Sequence, residues 1–197
     1  MIQVSNLSYY IGDRCLFKNL SFVMPDFGLV QICGDNGRGK TTFLMVLSFL
    51  EKPTTGTLFY DGVKMEFGSF EAKKKREKDA IYLLPNGNFD DSLTIEENLK
   101  QFDVVEASFC PFSDRFPSSL SGGEKEICLA YLVEHTRKKI IFKDEGFGFL
   151  DKERRDESFA SLLRAKANHL IAIASPRRLD IPSDLIINIS GESDELD

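Results

Sequence analysis

The sequence predicts an α/β fold with a mainly parallel core sheet flanked by helices and an N-terminal antiparallel β subdomain. Three observations carry that expectation. Nearly unbroken apolar strands, such as the run ending Val30-Gln31-Ile32-Cys33, Ile140-Ile141-Phe142-Lys143 and Leu170-Ile171-Ala172-Ile173-Ala174, alternate with helical stretches, as strands covered on both faces do. The first of these runs feeds Gly34-Asp35-Asn36-Gly37-Arg38-Gly39-Lys40-Thr41-Thr42, and Phe43–Leu47 follows like the buried face of a helix. Residues 1–30 instead alternate and turn like an antiparallel meander, with Gly12-Asp13 and Pro25-Asp26 as turns.

The chain of 197 residues reads as one domain, 1–197, with 42% hydrophobic and 28% charged residues, enough to bury a core. A net charge of −6 argues against a nucleic-acid binder, which is usually basic. No apolar stretch approaches the roughly 20 residues needed to span a bilayer, and the start Met1-Ile2-Gln3-Val4 lacks the pattern of a secretion signal. Cys15, Cys33, Cys110 and Cys128 are scattered, as reduced thiols in cytosol would be.

In order, the meander leads to the strand ending at Cys33, then a helix from about Lys40 to Leu50. Thr57–Tyr60 with Asp61-Gly62 reads as a strand and its turn, and Lys73–Lys78 as a solvated basic face. Ala80–Leu84 is a buried strand stopped by Pro85-Asn86-Gly87. A shortened helical subdomain spans about 94–133: Thr94-Ile95-Glu96-Glu97 has capping-box spacing, and Ser119–Lys125 leads into the apolar helix Ile127–Val133. The strand 140–143 ends in Asp144-Glu145, a helix runs from about Lys152 to Ala167, and strands 170–174 and 185–189 precede a frayed tail, Gly191–Asp197.

The loop at 34–42 fits the pattern of glycine, four free positions, then Gly-Lys-Thr. Its glycines let successive N–H groups point inward at phosphate oxygens, and the helix after it adds a positive dipole end. Lys40 would neutralise β/γ-phosphate charge, and the Thr41 hydroxyl would take one Mg²⁺ position. Asp144 and Glu145 end a buried strand, where open α/β sheets place their ligands. Asp144 would hold hydrated Mg²⁺, and Glu145 would polarise an attacking water as general base. In Leu120-Ser121-Gly122-Gly123-Glu124, a serine hydroxyl and two glycine N–H groups at a helix start form a second phosphate cradle.

In these motifs and their order the chain resembles the nucleotide-binding domains of ABC proteins, P-loop ATPases, over essentially its whole length. The Walker A loop is Gly34–Thr42, the glutamine loop falls at Leu84-Pro85-Asn86, the signature at Leu120–Gly123, Walker B at Ile140–Glu145 and the D-loop at Gly148–Asp151. The resemblance implies ATP and Mg²⁺ as ligands, with Asn86 replacing the glutamine at the metal and Tyr10 or Ile11 at the adenine, where the stacking aromatic is offset. It also implies a second protomer, homologous or identical, whose signature closes on the nucleotide, and a membrane-spanning transporter subunit. The chain would then be an ATPase subunit, cytoplasmic and peripheral on the cytoplasmic face of the membrane. Alternatives are a soluble ABC protein acting on nucleic acid or the ribosome, or a regulatory subunit that binds ATP without hydrolysis. Pro176 stands where the family has a switch histidine, Ile127 replaces an arginine after the signature, and Lys143 interrupts the Walker B apolar run. His169 is no substitute, lying about 23 Å away along the strand at roughly 3.3 Å per residue. Slow hydrolysis is expected.

Overall fold

A computed structural model describes residues 1–84, 88–145, 150–189 and 195–196. Strands β1 (Ile2–Ile11) and β2 (Arg14–Val23) form a hairpin closed at Gly12-Asp13. Both strands turn apolar residues inward, Ile2, Val4 and Leu7 on β1 and Phe17, Leu20 and Phe22 on β2, with the alternation broken by a register shift between Val4 and Leu7. Strand β3 (Gly28–Cys33) is buried at every position and leads through the glycine-rich loop into helix α1 (Lys40–Leu47). Strands β4 (Thr55–Tyr60) and β5 (Val63–Lys64) pair back onto β1, so that among the described residues this antiparallel sheet has the order β2-β1-β4-β5.

Helix α2 (Phe70–Asp79), capped by the Ser69 side chain, carries the basic run. That run is only partly a solvated face. Lys75 pairs with Asp79 at 2.9 Å and Asp61 at 3.3 Å and lies over the Tyr60 ring. Strand β6 (Ala80–Leu83) follows, then α3 (Ile95–Gln101), two 3₁₀ turns, α4 (Gly122–His135), β7 (Ile140–Asp144), α5 (Lys152–Ala165), β8 (Leu170–Ser175), β9 (Leu185–Asn188) and β10 (Glu195–Leu196). The second sheet has the order β10-β9-β3-β8-β7-β6, parallel except for β10, which pairs antiparallel with β9. Part of the tail expected to fray is therefore tied down.

The core lies on both faces of this second sheet. On one, Phe43 and Leu44 of α1 pack between Phe142 of β7 and Phe17 of β2, with the Phe17 and Phe43 rings 5.0 Å apart. Burying a phenylalanine this way stabilises by about 1.5–3 kcal/mol. On the other, Leu129 and Leu132 of α4 and Leu162 of α5 cover Ile141 and Ile171. Helix α1 stops at Leu47, short of Leu50, because Phe49 takes a φ of 59° and folds its ring against Phe67 and Tyr60. Gln31, buried on β3, holds the segment after β8. Its amide donates to the Ser183 hydroxyl at 2.6 Å and accepts from the Leu179 N–H at 2.7 Å.

Candidate nucleotide-binding site

The phosphate loop is held by close packing from both sides. Gly34 has a φ of 151°, and a Cβ there would fall 2.4 Å from the Ile189 carbonyl; one at Gly39 would fall 2.9 Å from Leu16 Cβ. Glycine is the residue that admits both this backbone and these approaches. Gly37 too has positive φ, and its carbonyl accepts from the Arg14 guanidinium of β2. Asp35, Asn36 and Arg38 are exposed at the loop tip, where the Asp35 carbonyl accepts from Arg38 N–H. Gly39 caps α1 without a side-chain acceptor, and no acidic residue occupies the first turn. The N–H groups at this helix start therefore face a position suited to an anion. Lys40 is 4% exposed, yet its ammonium reaches forward to the Asp35 carbonyl at 3.1 Å and to Glu145 at 3.6 Å. Thr42 lies beside it in the first turn of the helix.

The parallel register of β7 between β6 and β8 delivers the two acids to this loop. The Thr41 hydroxyl donates to Asp144 Oδ1 at 3.2 Å and the Tyr82 hydroxyl to Oδ2 at 3.4 Å. Burial pushes the Asp144 carboxyl above the usual carboxylate range; the Thr41 bond opposes this, and the neighbouring Glu145 charge adds to it. Burial, reinforced by the Asp144 charge, likewise pushes the Tyr82 phenol up. Glu145 adopts a left-handed φ of 50° with its N–H donating to the Ala174 carbonyl at 3.1 Å. This conformation costs on the order of 1–3 kcal/mol for a residue other than glycine, and it leaves the Glu145 carboxylate 41% exposed toward the loop.

Among the described residues no cluster of three or more His, Cys, Asp or Glu could hold a metal by protein ligands alone. Mg²⁺ needs few of them, because it keeps waters and takes one or two protein oxygens plus substrate phosphates. The Thr41 hydroxyl and the buried Asp144 carboxylate are hard oxygen donors placed side by side, and a cation would relieve the desolvated charge. The donor set fits Mg²⁺ arriving with a polyphosphate.

The signature opens α4. Ser121 caps the helix, accepting from the Glu124 N–H at 3.3 Å, while its own N–H donates to Glu124 Oε2 at 2.7 Å. Ser121 and Gly122 are exposed, whereas Gly123 is buried under the Arg154 guanidinium. The hydrogen bonds around Ser121 and Glu124 run within α4 and to Arg115, separately from those of the Lys40–Glu145 cluster.

Tyr10 and Ile11 end β1 opposite Cys15 and Arg14, with Ile11 60% exposed; Tyr9 instead turns its ring onto Phe17. Asn86, and Gly148 and Phe149 of the D-loop, lie outside the described residues. Pro176 follows β8 and lines a cleft of about 430 Å³ with Gly34, Asp35 and Arg38. The Ser175 hydroxyl beside it donates to the Arg177 carbonyl at 2.6 Å. His169, at the opposite end of β8, is buried with Nδ1 2.7 Å from the Lys138 carbonyl. Sequence reasoning missed Arg14, Tyr82 and Arg154. Each reaches the site through a pairing between elements distant in the chain, for which no local pattern exists.

A glycine loop leading into an uncapped helix start, a lysine inside it and two strand-end acids beside it define a P-loop nucleotide-binding protein. The comparisons narrow that class. Residues 17–148 match the family described as ABC transporter, and the chain belongs to that family as an ATP-binding protein. It is 26% identical over 198 residues to the energy-coupling factor transporter ATP-binding protein EcfA1 of Staphylococcus aureus, covering 89% of this chain and 71% of the relative. The fold is shared with the ATP-binding cassette MJ0796, solved as a dimer in a post-hydrolysis state bound to ADP and Pi. That match has a TM-score of 0.77 and 21% identity and covers 100% of this chain and 98% of the other. A second dimeric structure of the same bacterial cassette matches at 22% identity with the same TM-score and coverage. No described helix is long and apolar enough to cross a membrane.

Proposed function

We propose that this chain is the ATP-hydrolysing subunit of an ABC transporter, dimerising head to tail around Mg·ATP and turning over slowly. The observation that carries the reading is the convergence of Lys40, Thr41, Asp144 and Glu145 at one end of the parallel sheet. Lys40 leaves Glu145 for the β/γ-phosphates. Thr41 and Asp144 would hold a Mg²⁺, which would supply charge neutralisation on the phosphates. Glu145, freed and partly exposed, accepts a proton from water as the γ-phosphate is attacked. Tyr10 or Ile11, on the exposed hairpin end held to the loop through Arg14, flanks the adenine.

Dimerisation is supported by the exposed N-terminus of α4, where Ser121 and Gly122 would present a second phosphate cradle. The dimeric state of the solved cassettes favours the same arrangement, and the name of the EcfA1 relative favours the transport reading. A separate membrane-spanning subunit and a place at the cytoplasmic face follow from the transport reading. Slow turnover follows from Pro176, which carries no titratable group, and from Ser175, whose hydroxyl is already engaged. Losing one positioned transition-state donor costs about 10²–10³ in rate.

Phosphate release by the purified chain tests this. Slow, Mg²⁺-dependent turnover is expected, falling at least about 100-fold in Glu145→Gln, as loss of a general base does. Turnover untouched by Glu145→Gln would refute the assigned roles. Co-purification in detergent with a membrane-spanning protein would support the transport assignment.

A further inference from the structure

Lys143 precedes Asp144 on β7 and is 2% exposed. Successive strand residues face opposite sides of a sheet. Asp144 turns to Thr41 and Tyr82, while Lys143 enters the seam beneath α4 and α5 among Leu129, Val133 and Leu162. There its ammonium lies 3.6 Å from Glu126 Oε1 of α4, and the Ser158 hydroxyl of α5 donates to the same oxygen at 3.0 Å. Glu126 and Ser158 are buried as well. One turn back along α5, Arg154 covers Gly123 of the signature.

A buried ion pair is a poor device for stability, because well-packed apolar residues of similar volume often serve as well or better. It is a directional one. Its two ends tie the signature helix to the strand that ends in Asp144.

We propose that Lys143 and Glu126 are positioning residues that lock the signature helix to the Asp144–Glu145 strand end. Engagement of Ser121–Gly123 by a second protomer's nucleotide is thereby transmitted to the hydrolytic acids. Neither residue touches nucleotide, and the inference rests on the reading of the chain as an ATP-hydrolysing dimer.

The test uses the full chain with Lys143→Met and Glu126→Leu combined, which removes both charges and keeps volume. A second variant exchanges the charges, Lys143→Glu with Glu126→Lys. Melting temperature, Mg·ATP affinity, kcat and KM are measured on each. The apolar variant is expected to fold and to bind Mg·ATP with unchanged Kd and KM, while kcat falls about tenfold. The exchanged pair should restore most of that loss. An apolar variant with wild-type kcat would overturn the proposal, as would losses of Kd and kcat in equal measure. Should the apolar variant not fold, Lys143→Met with Glu126→Gln removes both charges and keeps an acceptor for Ser158; wild-type kcat there would overturn the proposal equally. A wild-type chain with neither phosphate release nor ATP-driven dimers would instead sink the functional reading itself.

Discussion

Buried beneath the phosphate loop with only hydroxyls donating to it among the bonds described above, Asp144 holds its proton more tightly in the folded chain than in the unfolded one. A raised carboxyl pKa imposes no penalty below the unfolded value near pH 4 and a growing one as pH rises through the folded value. Asp144→Asn should therefore raise the melting temperature of the nucleotide-free protein at pH 7. The gain should vanish at low pH, the two curves merging near pH 4. The same variant should lose the Mg²⁺-dependent part of the stabilisation by ATP. Lys40→Ala, removing a charge-assisted bond of about 1.5–3 kcal/mol, should weaken ATP binding roughly 10–100-fold by titration calorimetry. Lys40, Thr41, Asp144 and Glu145 were legible in the sequence because each lies within a short contiguous motif whose chemistry demands it. Tyr82 was not, because its place beside Asp144 depends on β6 pairing with β7 across some sixty residues.

Two glycines separate the elements by how they would respond to a side chain. A Cβ at Gly34 meets the backbone carbonyl of Ile189 in a left-handed-side conformation, so nothing nearby can yield. Gly34→Ala should cost about 1–3 kcal/mol, read by urea unfolding, and abolish nucleotide binding. A Cβ at Gly123 meets only the far end of the Arg154 side chain, which can swing away. Gly123→Ala should cost less than Gly34→Ala, and Arg154→Ala should remove most of that cost; a cost that persisted would show that the approach of the guanidinium is not its source. The capping box at Thr94 forms as its spacing requires, with Thr94 and Glu97 exchanging bonds. Local patterns of this kind survive folding because their partners lie within one turn. The end of α1 and the pairing of β10 could not be read locally. Phe49 turns out of the helix toward Phe67, and Glu195–Leu196 find β9, through tertiary contact alone.

At the scale of the whole molecule, the fold brings Lys40, Thr41 and Asp144 together at the carboxyl ends of β3 and β7 and exposes Ser121 and Gly122 at the start of α4. Their hydrogen bonds are separate within the chain. The architecture was legible because parallel strands buried on both faces leave continuous apolar runs. The basic run of α2 shows the limit of composition: Lys75 is spent on Asp61, Asp79 and the Tyr60 ring, which lowers the charge left for nucleic acid. Under the proposed reading, a second copy or a homologue completes each cradle. Light scattering on Glu145→Gln with and without Mg·ATP tests this most directly, with Lys40→Ala added as a control. The account predicts a monomer without nucleotide, a stable dimer with two bound ATP molecules when Mg·ATP is present, and no dimer once Lys40 is removed. A protein that binds ATP yet stays monomeric at saturating Mg·ATP would contradict it.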